Sequence, residues 1–107
     1  MTFVYEADPV RGYTRYYPAT INNPEHAQVA LEAARNAGLQ AQLAAAPAFT
    51  SEDFAFMLQE RPGAYLWLGQ RGVTNSAPLH HPSYDFNDDV LSAGVRWFVA
   101  VAQLALR

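Results

Sequence analysis

The sequence contains no cysteine, which excludes disulfides and thiolate metal sites within the chain. Charge is also sparse: 16% of the 107 residues are Asp, Glu, Lys or Arg, for a net charge of -3. The seven basic residues are scattered, so the clustered cations that bind phosphate are missing and no nucleic-acid partner is expected. Imidazoles are few, being only His26, His80 and His81. No signal peptide is read at the start, because Glu6 and Asp8 interrupt the apolar core such a segment needs. The longest apolar run, Val90 to Leu106, contains Arg96 and Gln103 and is too short and too polar to span a bilayer. A soluble, cytoplasmic chain is the expectation. Half of the residues are apolar, which argues against disorder and for at most one domain with a modest core.

Residues Met1 to Gly12 carry turn signals at Asp8-Pro9 and Arg11-Gly12 and stay unassigned. Tyr13 to Ile21, rich in tyrosine and threonine, reads as a strand that Pro18 places at an edge or at the end of pairing. Asn23-Pro24-Glu25 predicts a helix start, with an N-cap, proline at the first helical position and an acid. Ala27, Ala30, Leu31 and Ala34 recur at helical spacing and Gly38 closes the helix. A short strand over Leu39 to Ala46 follows. Thr50 and Asp53 approximate a capping box for a helix with Phe54, Met57 and Leu58 on its apolar face, stopped by Arg61-Pro62-Gly63. Ala64 to Leu68 is nearly continuously apolar, as in strands covered on both faces. The last helix is predicted from about Asp88 to Leu106, capped by Asn87, with Leu91, Val95, Phe98, Val99, Ala102 and Leu106 as its face and Gly94 allowing close approach. Trp67, Trp97 and Phe98 are expected in the core. The alternation of helix and strand is that of an α/β layered fold.

Three motifs carry chemistry. Pro78-Leu79-His80-His81-Pro82-Ser83-Tyr84-Asp85-Phe86-Asn87-Asp88 presents imidazoles on a loop restricted by two prolines. Ser51-Glu52-Asp53-Phe54-Ala55 opens a helix, and Tyr17-Pro18-Ala19-Thr20-Ile21-Asn22 leads into another. In this order, the three resemble motifs of the metal-dependent amidohydrolases that include hippurate hydrolase, the indole-acetyl-amino-acid hydrolases and other N-acyl-amino-acid amidohydrolases. The resemblance runs from about Tyr13 to the end and matches the last quarter or so of such a protein. It implies a fold that is part of a three-layer α/β/α sandwich, with the lid domain and N-terminal half absent. Residues 13–107 would be the C-terminal part of the catalytic domain. The implied activity is cleavage of the amide bond of N-acyl amino acids by metal-activated water, with a glutamate as general base.

By the same resemblance, His80 matches the last metal ligand, on one of two divalent ions. Zinc, manganese, nickel or cobalt suits a neutral imidazole. The competing reading is a loop histidine bonded to backbone. His81 falls at a position the family does not fix and reads as a surface residue. Ser51 and Glu52 are the candidate substrate-side residues: Ser51 offers a hydroxyl, Glu52 and Asp53 orient the loop, and the helix start can hold a carboxylate. Plain helix capping competes with this. Where the family has glycine before the serine, this chain has Thr50. Asp85 is a candidate partner for the second N–H of a bound imidazole.

Ligand number limits what the chain does alone. A catalytic zinc takes about three protein ligands, and the resemblance places the others, with the general base, in segments absent here. The alternative is therefore a catalytically inactive fragment or a separately encoded subunit. It would act as a homo-oligomer or by association with a missing N-terminal half. A small N-acyl amino acid is the implied substrate of the complete protein.

Overall fold

The computed structural model describes residues 16–70 and 77–107. Among them are three α-helices: α1 (Pro24–Asn36), α2 (Phe54–Glu60) and α3 (Leu91–Ala105), the last entered through a 3-10 turn at Asp88–Val90. The described residues divide into two compact units, one of 16–27 with Leu43–Tyr65 and the other of Gln28–Gln42 with 66–70 and 77–107.

Helix α1 forms where its end signals place it. Asn23 Oδ1 accepts from the His26 backbone N–H at 3.1 Å and lies 2.8 Å from His26 Nδ1, so His26 belongs to the cap. At the other end Gly38 adopts φ 79°, which costs a residue without Cβ little. Its N–H donates to the Arg35 carbonyl at 3.0 Å while Leu39 N–H reaches Ala34 at 2.9 Å, the crossed bonds of a Schellman motif. Ala30, Ala33 and Ala34 are buried, whereas Glu25, Gln28, Glu32 and Arg35 are exposed. This is a helix with one core face and one water face.

Helix α2 departs from expectation at its start. The Thr50–Asp53 capping box is not formed: Asp53 is the N-cap with no side-chain cap bond, and Thr50 Oγ1 instead donates to the Ser51 carbonyl at 3.4 Å. Glu52 takes over, its Oε1 accepting from Phe54 N–H at 3.3 Å. The buried residue is Ala55, while Met57 is exposed, so the helix is rotated from the predicted Phe54–Met57–Leu58 face. Its end is as expected. Arg61, which precedes Pro62, is extended at φ -144° and ψ 140°, the conformation proline imposes on its predecessor.

Helix α3 begins as predicted, with Asn87 Oδ1 accepting from Asp89 N–H at 3.1 Å. Its packing is the reverse of the expectation. Leu91, Val95, Phe98, Val99 and Leu106 are exposed, and the buried residues are Ala93 and Ala100 on the opposite side. Trp97 is half-buried and its indole Nε1–H donates to the Ala30 carbonyl of α1 at 3.0 Å. Arg96 Nε reaches the Ala37 carbonyl at 3.4 Å. Gly94 does sit where an element approaches, since a Cβ there would meet Leu68 Cδ2 at 3.6 Å. That is ordinary van der Waals contact, so glycine is not obligatory. Trp67 and Phe98 are exposed rather than core, at 54% and 67%.

None of the three predicted strands is paired among the described residues. Residues 16–21, Leu39 to Ala46 and Ala64 to Leu68 lie outside any ladder, and Tyr13 to Arg15 fall outside the described residues. A strand exists only through a partner that takes up its backbone groups. A side chain bonds the backbone of the third of these stretches. Asn22 Oδ1 accepts from Tyr65 N–H at 2.7 Å and Asn22 Nδ2 donates to the Tyr65 carbonyl at 3.0 Å. Beside it, Asn23 N–H donates to the Gly63 carbonyl at 2.9 Å.

Candidate functional site

His80 sits in a loop whose shape follows from its sequence. His81 N–H closes a turn onto the Pro78 carbonyl at 3.1 Å, and His80 is its third residue at φ 68°. A positive φ at that position is what a type II turn demands, and glycine or asparagine normally supplies it. His80 is the only non-glycine residue in this region among those described. A second turn follows, with Tyr84 N–H on the His81 carbonyl at 2.9 Å. His81 Nδ1 accepts from Ser83 N–H at 3.0 Å, so His81 organises this turn as well as being exposed. The imidazole of His80 is exposed. A left-handed histidine held inside a closed turn, with a second turn following, is a strained arrangement of the sort that gathers at working sites.

The base of the loop is tied by two amide side chains that the sequence reading missed. Gln70 Nε2 donates to the Asp85 carbonyl at 3.0 Å and Gln70 Oε1 accepts from Asn87 N–H at 3.3 Å. Asn87 Nδ2 returns a bond to the Gln70 carbonyl at 3.0 Å while its Oδ1 caps the last helix. Asp85 is thus held through its backbone, in the same unit as His80. Nothing local marks Gln70 as the partner of a residue seventeen positions on.

Ser51 and Glu52 lie in the other unit, ahead of α2. Ser51 is exposed. Both Glu52 oxygens are engaged: Oε2 accepts from the Tyr65 hydroxyl at 2.8 Å and Oε1 from Phe54 N–H. The Tyr65 hydroxyl is the main reason the Glu52 carboxyl is held below its ordinary range, with bonds from Asp53 and Phe54 adding to it. The reciprocal effect raises the Tyr65 hydroxyl above its ordinary value, again chiefly through Glu52. Phe54 packs against Tyr65 with ring centroids 5.5 Å apart and the planes tilted by 39°. Glu52 therefore orients the turn ahead of α2, and Ser51 is the side chain left facing solvent. Tyr65 is the residue missed here. It lies inside an apolar run, and only its hydroxyl hinted at a polar partner.

Among the described residues, no group of three His, Cys, Asp or Glu side chains could hold a metal ion. The donor set of the described residues therefore does not by itself make up a catalytic site, which takes about three protein ligands. No described helix is long and apolar enough to cross a membrane.

Comparison with known proteins adds a family and a sense of scale. The model of peptidase family M20/M25/M40 matches residues 5–104. The chain is 35% identical over 74 residues to an N-acetyldiaminopimelate deacetylase of Lactococcus lactis subsp. cremoris, a match covering 69% of this chain and 19% of that protein. It is 34% identical over 87 residues to the IAA-amino acid hydrolase ILR1-like 2 of Arabidopsis thaliana, covering 79% and 20%. An N-acetylcysteine deacetylase of Bacillus subtilis shares 29% over 91 residues, covering 85% and 23%. The chain thus spans about a fifth of the length of the curated relatives it matches. No solved structure matches it.

Proposed function

The chain belongs to peptidase family M20/M25/M40, and from that premise we propose that it forms part of a metal-dependent amidohydrolase cleaving the amide bond of N-acyl amino acids. Family membership implies an α/β peptidase-like fold. The finer reading is that 13–107 are the C-terminal part of a three-layer α/β/α catalytic domain. Three relatives named for hydrolysing acylated amino acids support the substrate class, and hippurate is one such compound to test.

The single observation that carries the reading is the left-handed His80 at the start of the Leu79–Asp88 motif. The loop accepts an unfavourable backbone at the residue the motif resemblance assigns to a divalent ion. His80 would hold zinc, manganese, nickel or cobalt through a neutral ring nitrogen. When bound, such an ion supplies Lewis acidity toward the amide carbonyl and lowers the pKa of water. This chain's own contributions are narrower. The Gln70–Asn87 pair fixes the loop that bears His80. Asp85 would receive the second imidazole N–H, and Ser51 would form a substrate-side wall oriented by Glu52. Thr50 in place of a glycine narrows the approach to that wall. On this reading the chain supplies one ligand, and the others come from the remainder of such an enzyme.

The test replaces the matched segment of the Bacillus subtilis N-acetylcysteine deacetylase with residues 13–107 of this chain, on one polypeptide. Hydrolysis of hippurate and N-acetyl amino acids is measured with added manganese, zinc, cobalt or nickel. The expected result is metal-dependent turnover lost on chelation and in His80→Ala. A folded chimera without turnover, or one indifferent to His80→Ala, overturns the reading.

A further inference from the structure

Two of the three motifs supply a metal ligand and a substrate-side wall on the reading above, whereas Tyr17–Asn22 supplies neither. Its last residue nevertheless bonds across 43 positions. Asn22 Oδ1 accepts from the Tyr65 N–H at 2.7 Å and Asn22 Nδ2 donates to the Tyr65 carbonyl at 3.0 Å. Two directional bonds to one residue fix both where its backbone sits and which way it turns. Asn23 N–H on the Gly63 carbonyl at 2.9 Å holds the chain two residues earlier. Tyr65 is thus placed from outside its own segment. Asn22, Tyr65 and the turn at Ser51 to Asp53 all belong to one compact unit.

The Tyr65 hydroxyl reaches the second motif. It donates to Glu52 Oε2 at 2.8 Å. Glu52 Oε1 accepts from Phe54 N–H at 3.3 Å, and the Glu52 carbonyl accepts from Ala55 N–H at 3.2 Å. A glutamate on a loop ordinarily samples many rotamers, and bonds through both oxygens restrict it to few. Glu52 therefore closes the turn from within, and the Ser51 side chain is exposed. The competing role for Tyr65 is plain support of the fold. That role needs the ring, whose centroid lies 5.5 Å from that of Phe54, and phenylalanine would supply as much. The hydroxyl is the extra group: in the apolar run Ala64-Tyr65-Leu66-Trp67-Leu68 it ends on a carboxylate of the turn. The lowered Glu52 carboxyl and the raised Tyr65 hydroxyl accord with that bond.

We propose that Asn22 and Tyr65 are positioning residues for the substrate-side wall. The Asn22 amide fixes the Tyr65 backbone, the Tyr65 hydroxyl fixes Glu52, and Glu52 fixes the turn that presents Ser51. This rests on the functional reading above and gives the Tyr17–Asn22 motif its part in it. A wall held in this way is set before substrate arrives.

The first readout uses the full 107-residue chain and needs neither metal nor turnover. The Glu52 carboxylate is titrated by carbon-13 NMR, its signal assigned with Glu52→Gln. Tyr65→Phe keeps the ring and the backbone bonds to Asn22 and removes the hydroxyl alone. It should move the titration up toward the ordinary glutamate range. Asn22→Ala changes a residue that acts on Glu52 through Tyr65, and should move it up part of the way. A titration unmoved by Tyr65→Phe, or moved by it and not by Asn22→Ala, overturns the relay. The second readout is the chimera described above. There Tyr65→Phe should raise KM for hippurate and N-acetyl amino acids roughly fivefold or more, with kcat within about twofold, because a displaced wall loosens binding. A purely structural role would lower the folded fraction, and with it kcat, at unchanged KM. An active chimera that is indifferent to Tyr65→Phe, or that loses kcat alone, overturns the inference and leaves the functional reading standing. A folded chimera without turnover overturns the functional reading and the role within it, an outcome that the Glu52 titration tells apart from a broken relay.

Discussion

Replacing His80 by glycine should leave the chain more stable than replacing it by alanine, although both remove the imidazole. The perturbation isolates the backbone, since His80 stands at φ 68°. A residue with Cβ pays about 1–2 kcal/mol in that region. Glycine escapes this but gains about 0.5–1 kcal/mol of extra freedom in the unfolded chain. The difference leaves His80→Gly ahead of His80→Ala by roughly 0.5–1 kcal/mol. For a domain of this size that is a shift of about 3–6 °C in Tm, readable by circular dichroism, with urea midpoints as a check. His80→Asn should fall between them, because asparagine tolerates the left-handed region better than alanine. In the chimera all three should be equally inactive. An alanine variant as stable as the glycine variant would show that the loop does not hold residue 80 left-handed, and the argument that its geometry serves the imidazole would fall with it.

Other outcomes follow from single contacts. Trp97→Phe should cost about 1 kcal/mol in urea unfolding, since it removes the bond to Ala30 while keeping an aromatic ring. Gly94→Ala should be neutral or stabilising by up to about 1 kcal/mol, because the new Cβ meets Leu68 at an ordinary 3.6 Å and alanine favours helix. Gly38→Ala should do the opposite and cost about 1 kcal/mol, the Schellman glycine being at φ 79°. Tyr65→Phe should flatten the dependence of stability on pH. Glu52 has a lowered pKa, so its contribution is present above the ordinary carboxylate pKa and lost as pH falls through the lowered one. Tyr65 has a raised pKa, so its contribution is present below the ordinary phenol value and lost as pH rises through the raised one. Urea midpoints of both proteins between pH 3 and 11, compared point by point, check this.

What the sequence disclosed was local. Asn23, Gly38 and Asn87 act on groups two to four residues away, so their types and spacing suffice to place helix ends. The second helix shows the limit of even that reasoning. Thr50 and Asp53 have the right spacing for a box, but Glu52 reaches Phe54 N–H first and is itself drawn by Tyr65. Helix α3 shows another. Periodicity identifies an apolar arc, yet a helix with two such arcs gives no local sign of which one its own chain covers. The site was legible as a motif around His80, because proline and histidine are conspicuous. Gln70, which ties the His80 loop, and Tyr65, which holds Glu52 in the other unit, are bonded across 17 and 13 residues and leave no periodic trace.

The Asn22 side chain stands in for a strand, giving Tyr65 both an acceptor and a donor. A neutral amide does both, from two separate atoms. Slow deamidation, to which asparagine is prone, would turn the donor into a second carboxylate oxygen facing the Tyr65 carbonyl. One bond would become a repulsion without any change in the genetic message. Deamidation at Asn22 would thus act on the fold itself, and the shelf life of the purified chain would become a structural observable.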